Sequence, residues 1–175
     1  MLDTMFDKIL YPTDGSDGAE AALDDVRNLA KTNDATVHIL YVINKRHAAN
    51  GIAGEPNQGR DFGMAGDPQG GESSMAGDRL GAREMRLKAI DHGAEIVDHA
   101  ASQLGDVDCR TALRGGDIHQ VILDYAEKNR INLIVMGTNS RTGLDRYLAG
   151  SVTEKIVRLS DIPVMTVRES DEMPT

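Results

Sequence analysis

The stretch from Ile131 to Val157 limits most severely what this chain can fold into. From Ile131 to Met136 it is apolar at every position except Asn132; a polar, glycine-bearing segment then runs from Gly137 to Gly150, and an amphipathic segment opens at Ser151. The apolar run suits a strand buried on both faces, as found in parallel sheets covered by helices. Ser151 with Glu154 three residues on forms a capping box, and Val152, Ile156 and Leu159 follow at helical spacing. A helix N-terminus, with free amides and partial positive charge, is therefore expected just after Gly150, which is where phosphates bind. Gly137 and Gly150 lack a Cβ and let backbone approach an anion, while Thr138, Arg141, Ser151 and Thr153 supply hydroxyls and a charge. Neither a Walker lysine nor a G-x-G-x-x-G accompanies them. A tight strand-to-helix loop would use the same glycines for geometry alone.

The rest of the chain alternates in the same way. Phe6 to Tyr11 reads as a strand broken by Pro12-Thr13-Asp14-Gly15-Ser16, and Ala19, Ala22, Leu23, Val26, Leu29 and Ala30 make a helical stripe closed by Thr32-Asn33-Asp34. Ala35 to Ile43 is a second strand, and strand, helix, strand without a hairpin means a parallel crossover. Residues 44–81 change character: eight of the chain's 18 glycines lie between Gly51 and Gly77, so a solvated insertion is expected there, with a lid or partner-binding loop as its functional reading.

Helical period returns near Ala82, with Leu87, Ile90, Ala94, Val97, Ala101 and Leu104 on one face and His92, Glu95 and His99 opposite, on a face expected to be solvated. Asp108 to Leu113 is a third strand carrying Cys109 as a packed small residue. Gly115-Gly116-Asp117 is expected to turn into a helix with Asp117 and Gln120 as a capping pair and His119 exposed. Pro163 opens a fifth strand, Val164 to Val167, before a polar tail. Five strands alternating with four helices predict one α/β domain over residues 1–175, an open parallel sheet with right-handed crossovers and helices on both faces.

Charge narrows the partners. The net charge of -9 and a pI near 4.9 argue against a nucleic-acid or anionic-membrane surface. Asp outnumbers Glu by 19 to 9, and Arg outnumbers Lys by 13 to 6, a balance that looks halophilic; stability followed against KCl concentration tests it. A lone cysteine, no signal-like N-terminus and no apolar run near 18 residues predict a cytoplasmic protein.

Gly137, Ser140, Gly150 and Ser151 fall on the four positions of Gly-x2-Gly-x9-Gly-Ser/Thr, with Ser140 standing at the second glycine. Nucleotide-binding members of the universal stress protein family carry this pattern between the fourth strand and last helix, and the chain resembles that family over nearly its whole length apart from the insertion and tail. Pro12-Thr13-Asp14 matches the family's turn after the first strand, where the Asp meets nucleotide, and Val42 matches the position lining the adenine pocket. The resemblance implies a Rossmann-like strand order 3-2-1-4-5, with the nucleotide between strands one and four. It also implies a homodimer through antiparallel pairing of the fifth strands, Val164, Met165, Thr166 and Val167. ATP is the implied ligand: phosphates on the amides of Ser140, Arg141, Ser151 and Val152, with Thr153 nearby, the adenosine end held by Pro12, Thr13, Asp14, Val42 and Met136, and Mg²⁺ bridging the phosphates. The implied role is a stress-response sensor or regulator without dedicated catalysis, capable at most of weak ATP hydrolysis. Two other readings stand beside it: a dimeric interaction module that binds no nucleotide, favoured by Ser140, and an adenylating or phosphoryl-transfer enzyme, for which only Asp14 and the histidines offer a base or nucleophile.

Overall fold

The computed structural model describes residues 5–44, 72–138 and 151–168. Strands β1 (Lys8–Pro12), β2 (Thr36–Asn44), β3 (Cys109–Gly116), β4 (Leu133–Thr138) and β5 (Val164–Arg168) form one sheet in the order β3-β2-β1-β4-β5, all neighbours parallel. Helices α1 (Asp17–Glu20), α2 (Leu23–Asn33), α3 (Glu72–Leu104), α4 (Ile118–Asn129) and α5 (Ser151–Leu159) connect them. Among the described residues no helix is long and apolar enough to cross a membrane.

Alternation along the strands splits the interior into two cores. Ile9, Tyr11, Val37 and Ile39 face Val26 of α2 and Val97 and Leu104 of α3. Leu10, Leu40, Ile134 and Met136 face Ile122 and Tyr125 of α4 and Ile156 of α5. The central strands are buried on both sides, so their sequences read as continuous apolar runs rather than alternating ones.

Several local expectations are corrected. The first helix is two, α1 and α2, separated at Ala21 and Ala22. The helix expected from Ala82 begins at Glu72, so its backbone takes in the last ten residues assigned to the insertion, whose remainder, 45–71, lies outside the described residues. The expected stripe of α3 holds at Val97 and Leu104, which are buried, and at the half-buried Ile90, Ala94 and Ala101, but Leu87 is 52 % exposed and Gly93 and Ala100 are buried beside the stripe. Gly93 sits there because a Cβ would stand 2.6 Å from Tyr41 Cδ1. Gly115 and Gly116 do not turn the chain; they extend β3 opposite Ile43 and Asn44, since the ladder with β2 continues past the last apolar residue. Asp117 occupies the N-cap of α4 but makes no side-chain cap bond, because its carboxylate contacts His119 Nδ1 and Gln120 donates instead to Asp124. His119 is accordingly half-buried. Cys109 packs at the margin of the first core as expected, and burial raises its thiol pKa.

One buried polar group stands in the second core. His38 is 3 % exposed; its Nδ1 shares a 3.0 Å hydrogen bond with Tyr125 Oη, and Arg114 lies over the Tyr125 ring. Desolvation, then the nearby Arg110 and Lys8 charges, lower the imidazole pKa, with Asp108 opposing. The unfolded chain therefore binds this proton more readily than the folded one. Stability from the neutral imidazole is present above about pH 6.5, the unfolded value, and is lost as pH falls through it toward the folded pKa. Chemical denaturation at pH 7 and pH 5 should show this loss with a slope of at most about 1.4 kcal/mol per pH unit, flattened in His38→Gln. Equal slopes in both proteins would refute the assignment.

Candidate functional site

β1 and β4 are adjacent, and the chain leaves them in opposite directions across the sheet, which makes the crevice beyond their carboxyl ends the place where such sheets bind ligands. A cavity of about 230 Å³ occupies it. Three structural units wall it. Pro12 at the end of β1 and Thr13, Asp14 and Ser16 of the turn after it form the first, with Ala19 of α1 behind them. Leu40 and Val42 of β2 and Met136 and Gly137 of β4 form the sheet side, and Ile118 and Ile122 of α4 with Ser151, Val152 and Thr153 of α5 close the other.

The turn is fixed by its own side chains. Asp14 Oδ1 accepts from the Ser16 amide at 3.0 Å and from the Ser16 hydroxyl at 2.6 Å, an Asx turn, and Thr13 Oγ1 accepts from the Gly15 amide at 3.1 Å. Ser16 then caps α1, its Oγ accepting from the Ala19 amide. Gly15 holds φ +74, a left-handed conformation that favours glycine, while a Cβ there would meet only the tip of the Ile96 side chain, Cδ1 at 2.9 Å, which can move aside. Behind the turn, Tyr11 donates its hydroxyl to Ala19 O at 2.8 Å, and burial pushes the phenol pKa up to about 12. Thr13 and Thr153 are almost wholly buried, while Asp14 and Ser151 are exposed.

Of the thirteen residues expected at a site, Pro12, Thr13, Asp14, Val42, Met136, Gly137, Ser151, Val152 and Thr153 line this one cavity, whereas Thr138 is buried away from it and donates its hydroxyl to Val167 O at 3.2 Å. Ser140, Arg141 and Gly150 lie outside the described residues. Sequence reasoning missed Ser16, Ala19, Leu40, Ile118 and Ile122. Leu40 was within reach, since it shares a strand face with Val42 two residues on. Ile118 and Ile122 were assigned to the buried stripe of their helix, and nothing local marks the end of that stripe as ligand-facing.

Gly137 needs correction as to cause. A Cβ on it would be driven into the carbonyl oxygen of Gly18 and stand 2.5 Å from the Gly18 carbonyl carbon and 2.7 Å from Ala19 Cα. Its missing side chain lets α1 dock on β4; room for an anion is not what the backbone there requires.

Chemically, the cavity offers an apolar slot between β2, β4 and α4, and at its edge a carboxylate, hydroxyls and the first turn of a nine-residue helix. Among the described residues no group of three or more His, Cys, Asp or Glu side chains is placed to hold a metal ion.

A family model described as the universal stress protein family matches residues 5–168. Universal stress protein MJ0531 of Methanocaldococcus jannaschii is 30% identical over 167 residues, covering 95% of this chain and 85% of the relative. The solved structure of the protein MJ0577 superposes with a TM-score of 0.65 at 25% identity, covering 96% of this chain and 99% of that one. A universal stress protein family member from Arabidopsis thaliana, solved with AMP bound, shares the fold at a TM-score of 0.58 and 19% identity, covering 96% and 95% of the two chains.

Proposed function

The chain belongs to the universal stress protein family, and from that premise we propose that its cavity binds an adenine nucleotide, ATP foremost, and that the protein acts as a nucleotide-dependent sensor or regulator of the stress response. One geometric fact supports this most: the apolar slot and the N-terminus of α5 open into a single cavity at the β1/β4 switch. In this assignment Leu40, Val42, Met136, Ile118 and Ile122 take the base and exclude water from it. Pro12 bounds the slot, and Thr13 and Asp14 meet the ribose end. Asp14 serves as a hydrogen-bond acceptor whose direction the Ser16 contacts fix.

The phosphates fall to the amides and hydroxyls of Ser151, Val152 and Thr153, where the helix dipole favours anions, together with Ser140, Arg141 and Gly150. Mg²⁺ would be held chiefly by phosphate oxygens and water, as suits that ion and the lack of a three-residue metal cluster among the described residues. The AMP held by the Arabidopsis protein on the same fold agrees with this ligand class. No dedicated catalysis is assigned.

Isothermal titration of ATP with Mg²⁺ into the full chain should give saturable binding. Val42→Phe, which fills the slot from a half-buried position, should weaken it at least about tenfold, or roughly 1.4 kcal/mol. Full-strength ATP binding by Val42→Phe would remove the base from this slot. No binding by the native chain in low salt or molar KCl would leave the nucleotide-free interaction module as the better reading.

The dimer is proposed alongside. Within the described residues β5 pairs only with β4, and its other edge, with Val164, Met165 and Val167 half-buried, invites a second β5. Light scattering on the same samples should give twice the chain mass of 18.9 kDa, and a monomer would refute it.

A further inference from the structure

His92, Glu95 and His99 are solvent-exposed, as expected, and they also border a cavity. With Ile96 and Ala100 they form one wall of a second cavity, of about 170 Å³, whose other walls include Glu20 of α1, Leu23 of α2 and Tyr11 of β1. It lies under α2 and α3, on the opposite sheet face from the base slot, and Thr13 borders both cavities. Tyr11, Leu23 and Ala100 are buried and make an apolar floor. The rim is polar: His99 Nε2 lies 3.6 Å from Glu20 Oε1, joining α3 to α1, and the His92 ring stands edge-on to Tyr41 with centroids 6.3 Å apart.

We propose that this cavity binds a small organic monocation, an ammonium carrying a short apolar body. Two carboxylates, Glu20 and Glu95, share a rim that no lysine or arginine among the described residues lines, in a chain whose net charge of -9 draws cations. An unprotonated ring nitrogen of His92 or His99 accepts a hydrogen bond from an ammonium proton. The apolar body packs on Leu23, Ile96 and Ala100. A bare metal ion fits the site poorly: the four polar side chains do not converge on a common ligating point, there being no such cluster among the described residues. A hydrated inorganic cation would leave the apolar floor uncovered. An amphiphilic cation matches floor and rim together.

Titration of n-butylammonium chloride into the full-length protein, followed by NMR of the histidine rings and isoleucine methyls, tests this. Saturable shifts are expected at His92, His99 and Ile96, while Ile122 and Ile156 across the sheet stay still. The double substitution Glu20→Gln with Glu95→Gln should weaken the affinity roughly fivefold or more, two exposed charge contacts being lost. Should Ile122 and Ile156 move in the double variant itself, Glu95→Gln alone gives the comparison, with a smaller loss expected. Equal shifts with n-butanol would mean an apolar crevice without charge selection, and equal shifts with KCl would mean screening; either overturns the proposal. So does undiminished affinity in the glutamine variants.

Discussion

Alanine at Gly137 is expected to cost about 3 kcal/mol or more of folding free energy, enough to unfold much of a domain of ordinary stability. The added Cβ would be driven into the Gly18 carbonyl oxygen and stand 2.5 to 2.7 Å from the Gly18 carbonyl carbon and Ala19 Cα. Backbone cannot rotate aside as a side chain does, so α1 must lift from β4. Gly18 and Ala19 are buried there, and the Tyr11 hydrogen bond to Ala19 O would go with them. Equilibrium unfolding in urea measures the loss, and a change below about 1 kcal/mol would show that α1 is not docked as described. A Gly137 variant that no longer binds nucleotide thus reports a broken cavity wall, and a clean test of the ligand must use the slot at Val42 instead.

Ile156→Ala is expected to cost about 2–5 kcal/mol, the range for removing a large aliphatic side chain from a packed interior. Ile156 is 0% exposed, and it and Thr153 are the only buried residues of the nine-residue α5. One side chain therefore holds most of the contact that pins the helix against α4 and the sheet. Since Ser151, Val152 and Thr153 line the cavity from the same helix, nucleotide affinity should fall with stability. Val157, next along and 53% exposed, is the control: its alanine variant should stay within about 0.5 kcal/mol of the parent. Similar losses at both positions in thermal or urea unfolding would contradict this docking of α5.

The two substitutions also mark how far the chain could be read beforehand. The apolar run at Leu133 to Met136 lies buried at the sheet centre, and its lack of alternation had already identified a strand covered on both faces. Ser151 was legible as a helix start, and α5 begins there. Local signals failed where a longer-range partner outweighed them. Gly115 and Gly116 looked like a turn because glycine is free to turn, yet β2 offers hydrogen-bonding partners as far as Asn44 and the ladder runs on. Asp117 looked like a cap, and a histidine two residues away took its carboxylate.

Sequence by itself determined the α/β class, the parallel crossovers and the turn and helix terminus that border the main cavity, because these depend on periodicities and side-chain chemistry within a few residues. Resemblance to a family supplied the strand order, which the sheet bears out. Only the tertiary structure decided why Gly137 must be glycine, which apolar residues close the slot, and that the His92, Glu95 and His99 face meets Glu20 across a second cavity. Each of those depends on two elements distant along the chain meeting at van der Waals range, and a pattern within one element carries no record of what will pack against it.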